Sequence, residues 1–122
     1  MMRVLIVEDE KAIRESLASY LEAKGLDVLT AGSSREALDI LRREGADAAV
    51  VDMRLPDATG DDFMLEANAL RPGMRFIGHT GTSDYMPSPE LTAMGVTMDA
   101  VFRKPLVDME TLYAALVWMR GA

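Results

Sequence analysis

Residues 4–10 read VLIVEDE: four apolar side chains, Val4 to Val7, run directly into three acids, Glu8, Asp9 and Glu10. An unbroken apolar run, without polar alternation, is what a strand covered on both faces looks like. Like charges at adjacent positions repel one another, and a bound cation is the simplest way to recover that energy.

The same unbroken pattern recurs at Leu26–Ala31, at Ala48–Val51 ending on Asp52, more weakly at Arg75–His79, and at Ala100–Arg103 before Lys104-Pro105. Helical spacing fills the gaps. Ile13, Leu17, Tyr20 and Leu21 share one face, with Lys24 at the rim and Gly25 as the stop. Ser33 or Ser34 can cap a helix that carries Ala37, Leu38 and Leu41 inward and ends at Gly45. The stretch from Leu55 to Gly60 is loop chemistry, and Asp61 to Leu70 reads as a helix closed by Pro72-Gly73. Asp108 caps a last helix with Met109, Leu112, Tyr113 and Leu116 inward. Strands alternating with helices predict an α/β fold, a doubly wound five-stranded parallel sheet with helices on both faces.

The totals agree. A length of 122 residues suits one domain, 1–122, with one core. With 49% hydrophobic and 27% charged residues the chain should fold, and its net charge of −7 argues against nucleic-acid binding. The absence of cysteine excludes disulfides, thiolate zinc sites and cysteine nucleophiles, and fits a reducing cytoplasm, the expected location. The first apolar run is too short for a signal peptide or a membrane span. A single histidine, His79, excludes a multi-histidine metal centre.

In doubly wound sheets ligands bind beyond the carboxyl ends of the strands. Those ends carry Glu8 and Asp9, Asp52, Thr80 and Lys104. Carboxylate oxygens suit a hard divalent cation such as Mg2+, which keeps several waters and needs few protein ligands. A carboxylate on a central strand end can attack phosphorus. Phosphoryl transfer requires cations and hydrogen-bond donors against the spreading oxygen charge, and Thr80 and Lys104 can supply them.

Four motifs in order, VLIVEDE, VVDMRLPDATG (residues 50–60), Thr80-Gly81 and FRKP (residues 102–105), resemble the receiver domain of two-component response regulators over nearly the whole chain. The resemblance implies the flavodoxin-like strand order 2-1-3-4-5. It implies that Asp52 is the phosphoacceptor and that Thr80 and Lys104 bind the phosphoryl oxygens. It implies Mg2+ held by Asp9, Asp52 and the backbone carbonyl of Arg54, with Glu8 helping through water, and a cis peptide before Pro105. The implied partner is a histidine kinase or a histidine phosphotransfer protein. A phosphorylation-dependent protein partner or a homodimer would read the signal, and the chain would be no enzyme beyond assisting its own phosphorylation and dephosphorylation. The chain ends soon after the last helix, so no output domain is expected within it.

Each residue also has a plainer use. Glu8 and Asp9 could be a solvated strand end or a helix cap, Asp52 a turn residue, Thr80 a turn hydroxyl and Lys104 a surface lysine. Their convergence on one rim favours the site. His79 reads as a packed or rim histidine rather than a ligand. The ten methionines read as core filling, and Trp118 falls off the inward face of the last helix. Val101 stands where the family carries an aromatic residue, and Arg54 and Thr82 stand where it controls water access to the phosphoryl group. Pro87 and Pro89 limit the fourth helix to about two turns, with Ser88 as cap and Gly95 as stop. The aliphatic Val101 and the short helix would also fit a phosphorylation-independent interaction module. A small doubly wound enzyme or flavin carrier fits less well, because no glycine-rich loop follows the first strand.

Overall fold

Five strands form an all-parallel sheet in the order β2-β1-β3-β4-β5, as the sequence motifs implied. The computed structural model describes residues 2–82, 84–106 and 108–120. The strands are β1 (Arg3–Val7), β2 (Asp27–Ala31), β3 (Ala48–Asp52), β4 (Arg75–Thr80) and β5 (Val101–Arg103). Between and after them run α1 (Lys11–Ala23), α2 (Ser34–Arg43), α3 (Gly60–Leu70), α4 (Pro89–Ala93) and α5 (Met109–Arg120), with a 3-10 turn over Met98–Ala100.

Strand side chains alternate between two cores because the side-chain period of a strand is two. Leu5, Val7, Ala49, Val51 and Phe76 pack with Leu41, Phe63, Met64 and Leu91 from α2, α3 and α4. Val4, Ile6, Ala48, Val50 and Ile77 pack with Leu17, Leu21, Leu112 and Leu116 from α1 and α5. Every strand residue of β3 is buried, which is why its sequence never alternates. Burying one such Leu or Phe side chain contributes about 1.5–3 kcal/mol.

Local chemistry sets the helix starts. Ser33, not Ser34, caps α2, its hydroxyl accepting from the Glu36 N–H. Thr59 caps α3 through the Asp62 N–H, so that helix begins at Gly60, one residue before the expected Asp61. Ser88 caps α4 through the Leu91 N–H, with Pro89 in the first turn. That helix has five residues, shorter still than the expected two turns. Asp108 accepts from the Glu110 N–H at 2.9 Å at the start of α5.

Some boundaries differ from the expectation. Leu26 belongs to the close of α1, its N–H donating to the Leu21 carbonyl, and β2 starts at Asp27. Ala100 lies in the 3-10 turn, and β4 runs one residue beyond the expected His79 to end on Thr80. The methionines are not all core filling: Met53, Met64 and Met74 are buried, but Met86 and Met98 are exposed. Trp118, off the inward face of α5 as expected, is 75% exposed.

Candidate functional site

The register that builds the sheet also builds a row of polar side chains. Val7 lies beside Val51, Asp52 beside His79, and His79 beside Phe102. The Glu8 N–H donates to the Ala31 carbonyl, carrying the β1 ladder one residue further. By alternation Glu8, Asp52 and His79 all point to the α1/α5 face, each nearly fully buried.

The loop after β3 is held tightly. A Cβ on Gly60 would stand 2.7 Å from the Met53 Cα, so only glycine lets the start of α3 lie against this backbone. The Gly60 N–H donates to the Met53 carbonyl, and the Arg54 N–H donates to Asp52 Oδ1 at 3.1 Å. On β4, Thr80 Oγ1 accepts from the Thr82 N–H at 3.1 Å. The Lys104 N–H donates to the Thr80 carbonyl at 2.7 Å, and the Lys104-Pro105 peptide is cis.

Lys104 reaches across the row. Its Nζ lies 3.1 Å from Glu8 Oε1 and 3.2 Å from Asp52 Oδ2. The repulsion read in the sequence is thus met in part by the protein's own ammonium. Glu8 Oε2 also accepts from the Glu10 N–H. Glu8 Oε1, although in ion-pair range of Lys104, has no well-oriented hydrogen bond, and neither ring nitrogen of His79 has one among the described residues. His79 Nδ1 stands 3.8 Å from Glu8 Oε1, beyond hydrogen-bond reach.

Burial decides the protonation behaviour here. It pushes the Glu8 carboxyl up to about 7, helped by the Asp52 charge and opposed by the Glu10 N–H and Lys104. It pulls His79 down to about 4, helped by Lys104 and opposed by Asp52, so the imidazole is neutral at neutral pH. Burial alone would lower Lys104 too, but Glu8 and then Asp52 outweigh it and hold the ammonium above its ordinary value.

Glu8, Asp9 and Asp52 each present a carboxylate oxygen within 4.8 Å of the others. An all-oxygen donor set, with one buried carboxylate oxygen lacking a hydrogen bond, fits a hard divalent ion. Asp9, Asp52, Arg54, Thr80, Thr82 and Lys104 line one open cleft beyond the strand ends.

The chain matches the response regulator receiver domain over residues 4–117. It belongs to that family. Receiver domains are signalling domains of two-component systems rather than enzymes in the ordinary sense. Among curated relatives, the response regulator MprA of Mycolicibacterium vanbaalenii is 33% identical, over 88% of this chain and 53% of the relative. The transcriptional regulatory protein GlrR of Escherichia coli K12 is 31% identical, over 93% of this chain and 25% of the relative. The chain therefore spans about half the length, or less, of these relatives. Among solved structures, a CheY-like receiver domain protein from Methanospirillum hungatei superimposes with a TM-score of 0.81 at 31% identity, covering 99% of this chain and 95% of that one.

All the side chains singled out in the sequence, Glu8, Asp9, Asp52, Thr80 and Lys104, come to this one end of the receiver domain. Sequence reasoning missed the closeness of His79 to Glu8. It also missed Tyr85, which lines the cleft and donates to Asp61 Oδ1 at 2.6 Å. A tyrosine in a proline-rich loop carries no local signal of a partner 24 residues away. No described helix is long and apolar enough to cross a membrane.

Proposed function

We infer that residues 1–122 act as one phosphoacceptor domain in a phosphorelay, with Asp52 as the acceptor. The observation that carries this is the Asp52 carboxylate at the end of β3, facing an open cleft with the Lys104 ammonium 3.2 Å away. A carboxylate oxygen of Asp52 attacks the phosphorus of a phosphohistidine. The new O–P bond forms as the P–N bond breaks, and the imidazole leaves with the electron pair. Lys104 and the Thr80 hydroxyl then contact the phosphoryl oxygens, Lys104 as a point charge and Thr80 as a hydrogen-bond donor. Glu8, Asp9, Asp52 and the Arg54 carbonyl are the groups that would hold Mg2+. When bound, that ion supplies positive charge against the carboxylates and the incoming phosphoryl oxygens.

The donor is a histidine kinase or a histidine phosphotransfer protein, in the cytoplasm, and the phosphorylated form alters binding to a protein partner or a second copy. The alternative, a module that does not switch, rests on Val101, an aliphatic residue packed beside Gly78. One experiment separates the two. With excess acetyl phosphate and magnesium, intact mass should rise by one phosphoryl group, and Asp52→Asn should abolish the rise. An unlabelled wild type, or an equally labelled variant, rules out Asp52 as acceptor.

A further inference from the structure

In the connection between β4 and α4, Gly81, Thr82 and Tyr85 line the Asp52 cleft. At its start the Thr82 N–H engages the Thr80 hydroxyl, and at its end Ser88 caps α4. Midway, the half-buried Tyr85 packs against the core between the sheet and α2–α4, and its hydroxyl donates to Asp61 Oδ1 at 2.6 Å.

Asp61 is an informative anchor. It follows Gly60, whose backbone bond to Met53 joins the start of α3 to the residue next to Asp52. The bond from Tyr85 therefore ties the β4 side of the cleft, where Thr80 ends, to the side that carries the acceptor. A hydrogen bond to a carboxylate is of the stronger class. Burial, and then Asp61, push the Tyr85 hydroxyl well above its ordinary pKa, so it stays a donor at any working pH.

The Thr80 hydroxyl oxygen accepts from the Thr82 N–H, which fixes the direction in which it points. On the phosphoacceptor reading, this hydroxyl turns to meet a phosphoryl oxygen on Asp52 and the Thr82 N–H shifts with it. On the β5 side Val101 offers no ring to follow that motion. On the loop side Tyr85 does.

We propose that Tyr85 is a positioning residue of the phosphoacceptor site: its bond to Asp61 holds Thr82 and Tyr85 where the Thr80 hydroxyl is engaged by Thr82, and is given up when that hydroxyl turns to the phosphoryl group. The proposal rests on the phosphoacceptor reading above. It predicts that the bond opposes the phosphorylated arrangement, so removing it should favour that arrangement.

The test is calorimetric titration of the magnesium-saturated full chain with beryllofluoride, a phosphoryl mimic. Tyr85→Phe keeps the ring and loses only the hydroxyl; it should bind about three- to tenfold more tightly than wild type. Asp61→Ala should do the same, the double variant should add nothing further, and Asp61→Asn, which keeps an acceptor oxygen but not its charge, should fall between wild type and Asp61→Ala. A merely structural role is separated by repeating Tyr85→Phe in a Thr80→Ala background. There the affinity shift should vanish while any loss of melting temperature persists. Unchanged or weaker binding by Tyr85→Phe and Asp61→Ala, or an equal shift in both backgrounds, overturns the role of Tyr85. A wild type that does not bind beryllofluoride at all overturns the phosphoacceptor reading itself, and the proposal with it.

Discussion

At the amino end of the sheet, Arg3 Nε lies 2.7 Å from Asp27 Oδ2, the Arg3 N–H donates to Asp47 Oδ2, and Arg71 Nε donates to the Leu41 carbonyl. At the carboxyl end, one ammonium stands between two carboxylates, a third acid waits at the surface, and a buried imidazole has no hydrogen bond among the described residues. Both ends gather charge and both open onto a hollow. The difference is exposure. Arg3 and Asp27 keep 38% and 41% of their side-chain surface in water, whereas Glu8 keeps 1%. An exposed pair can relax into solvent and contributes little. Buried and incompletely bonded groups hold energy that an arriving ion or phosphoryl group can recover. Charge count alone would not have distinguished the two ends.

The pH dependence of stability should break the comparison most widely. His79 is depressed from 6.5 to about 4, so between those values the unfolded chain binds a proton the folded chain refuses, and stability is lost as pH falls. Glu8 is raised from 4.5 to about 7, so between those values the folded chain binds the extra proton, and stability is lost as pH rises. Each effect is worth up to about 3 kcal/mol, and in metal-free protein they oppose one another over the shared window. Glu8→Gln should therefore lose up to about 3 kcal/mol more than wild type between neutral pH and pH 4. His79→Leu should instead gain stability as pH falls from 7 toward 4.5. Denaturant unfolding across this range checks both, and parallel profiles for all three proteins would contradict it.

Magnesium comes next. At about a hundred times its dissociation constant it should add about 2.7 kcal/mol to the folded state, read as a rise in melting temperature. Asp9→Asn should remove most of that rise and, by relieving repulsion, stabilise the metal-free protein. Arg3→Met should leave the rise intact. A melting temperature that ignores millimolar magnesium would count against a metal site at the carboxyl end.

The smallest effect is the lysine against the arginine. Lys104→Met leaves Glu8 and Asp52 facing each other without the ammonium and should cost about 2 kcal/mol in magnesium-free buffer at pH 8. Arg3→Met, in an exposed pair, should cost less than about 1 kcal/mol. Equal losses in parallel unfolding curves would mean that burial does not separate the two ends.

Much of this was legible in the residues themselves, for local reasons. Val4–Val7 and Ala48–Val51 read as covered strands because a strand buried on both faces leaves no polar position in its own sequence. Ser88 and Pro89 announced a short α4 because a cap and a ring-fixed φ act within one turn. The rim of Glu8, Asp9, Asp52, Thr80 and Lys104 followed from where each strand run stops. The tertiary structure alone decided which of these groups touch. Lys104 meets Glu8 across 96 residues, and His79 comes up to Glu8 with neither ring nitrogen hydrogen-bonded among the described residues. Tyr85 finds Asp61 across the cleft, and Trp118 is left in water. Such contacts depend on strand order, register and the side to which each residue alternates. These are properties of the assembled sheet that no local window of the chain carries.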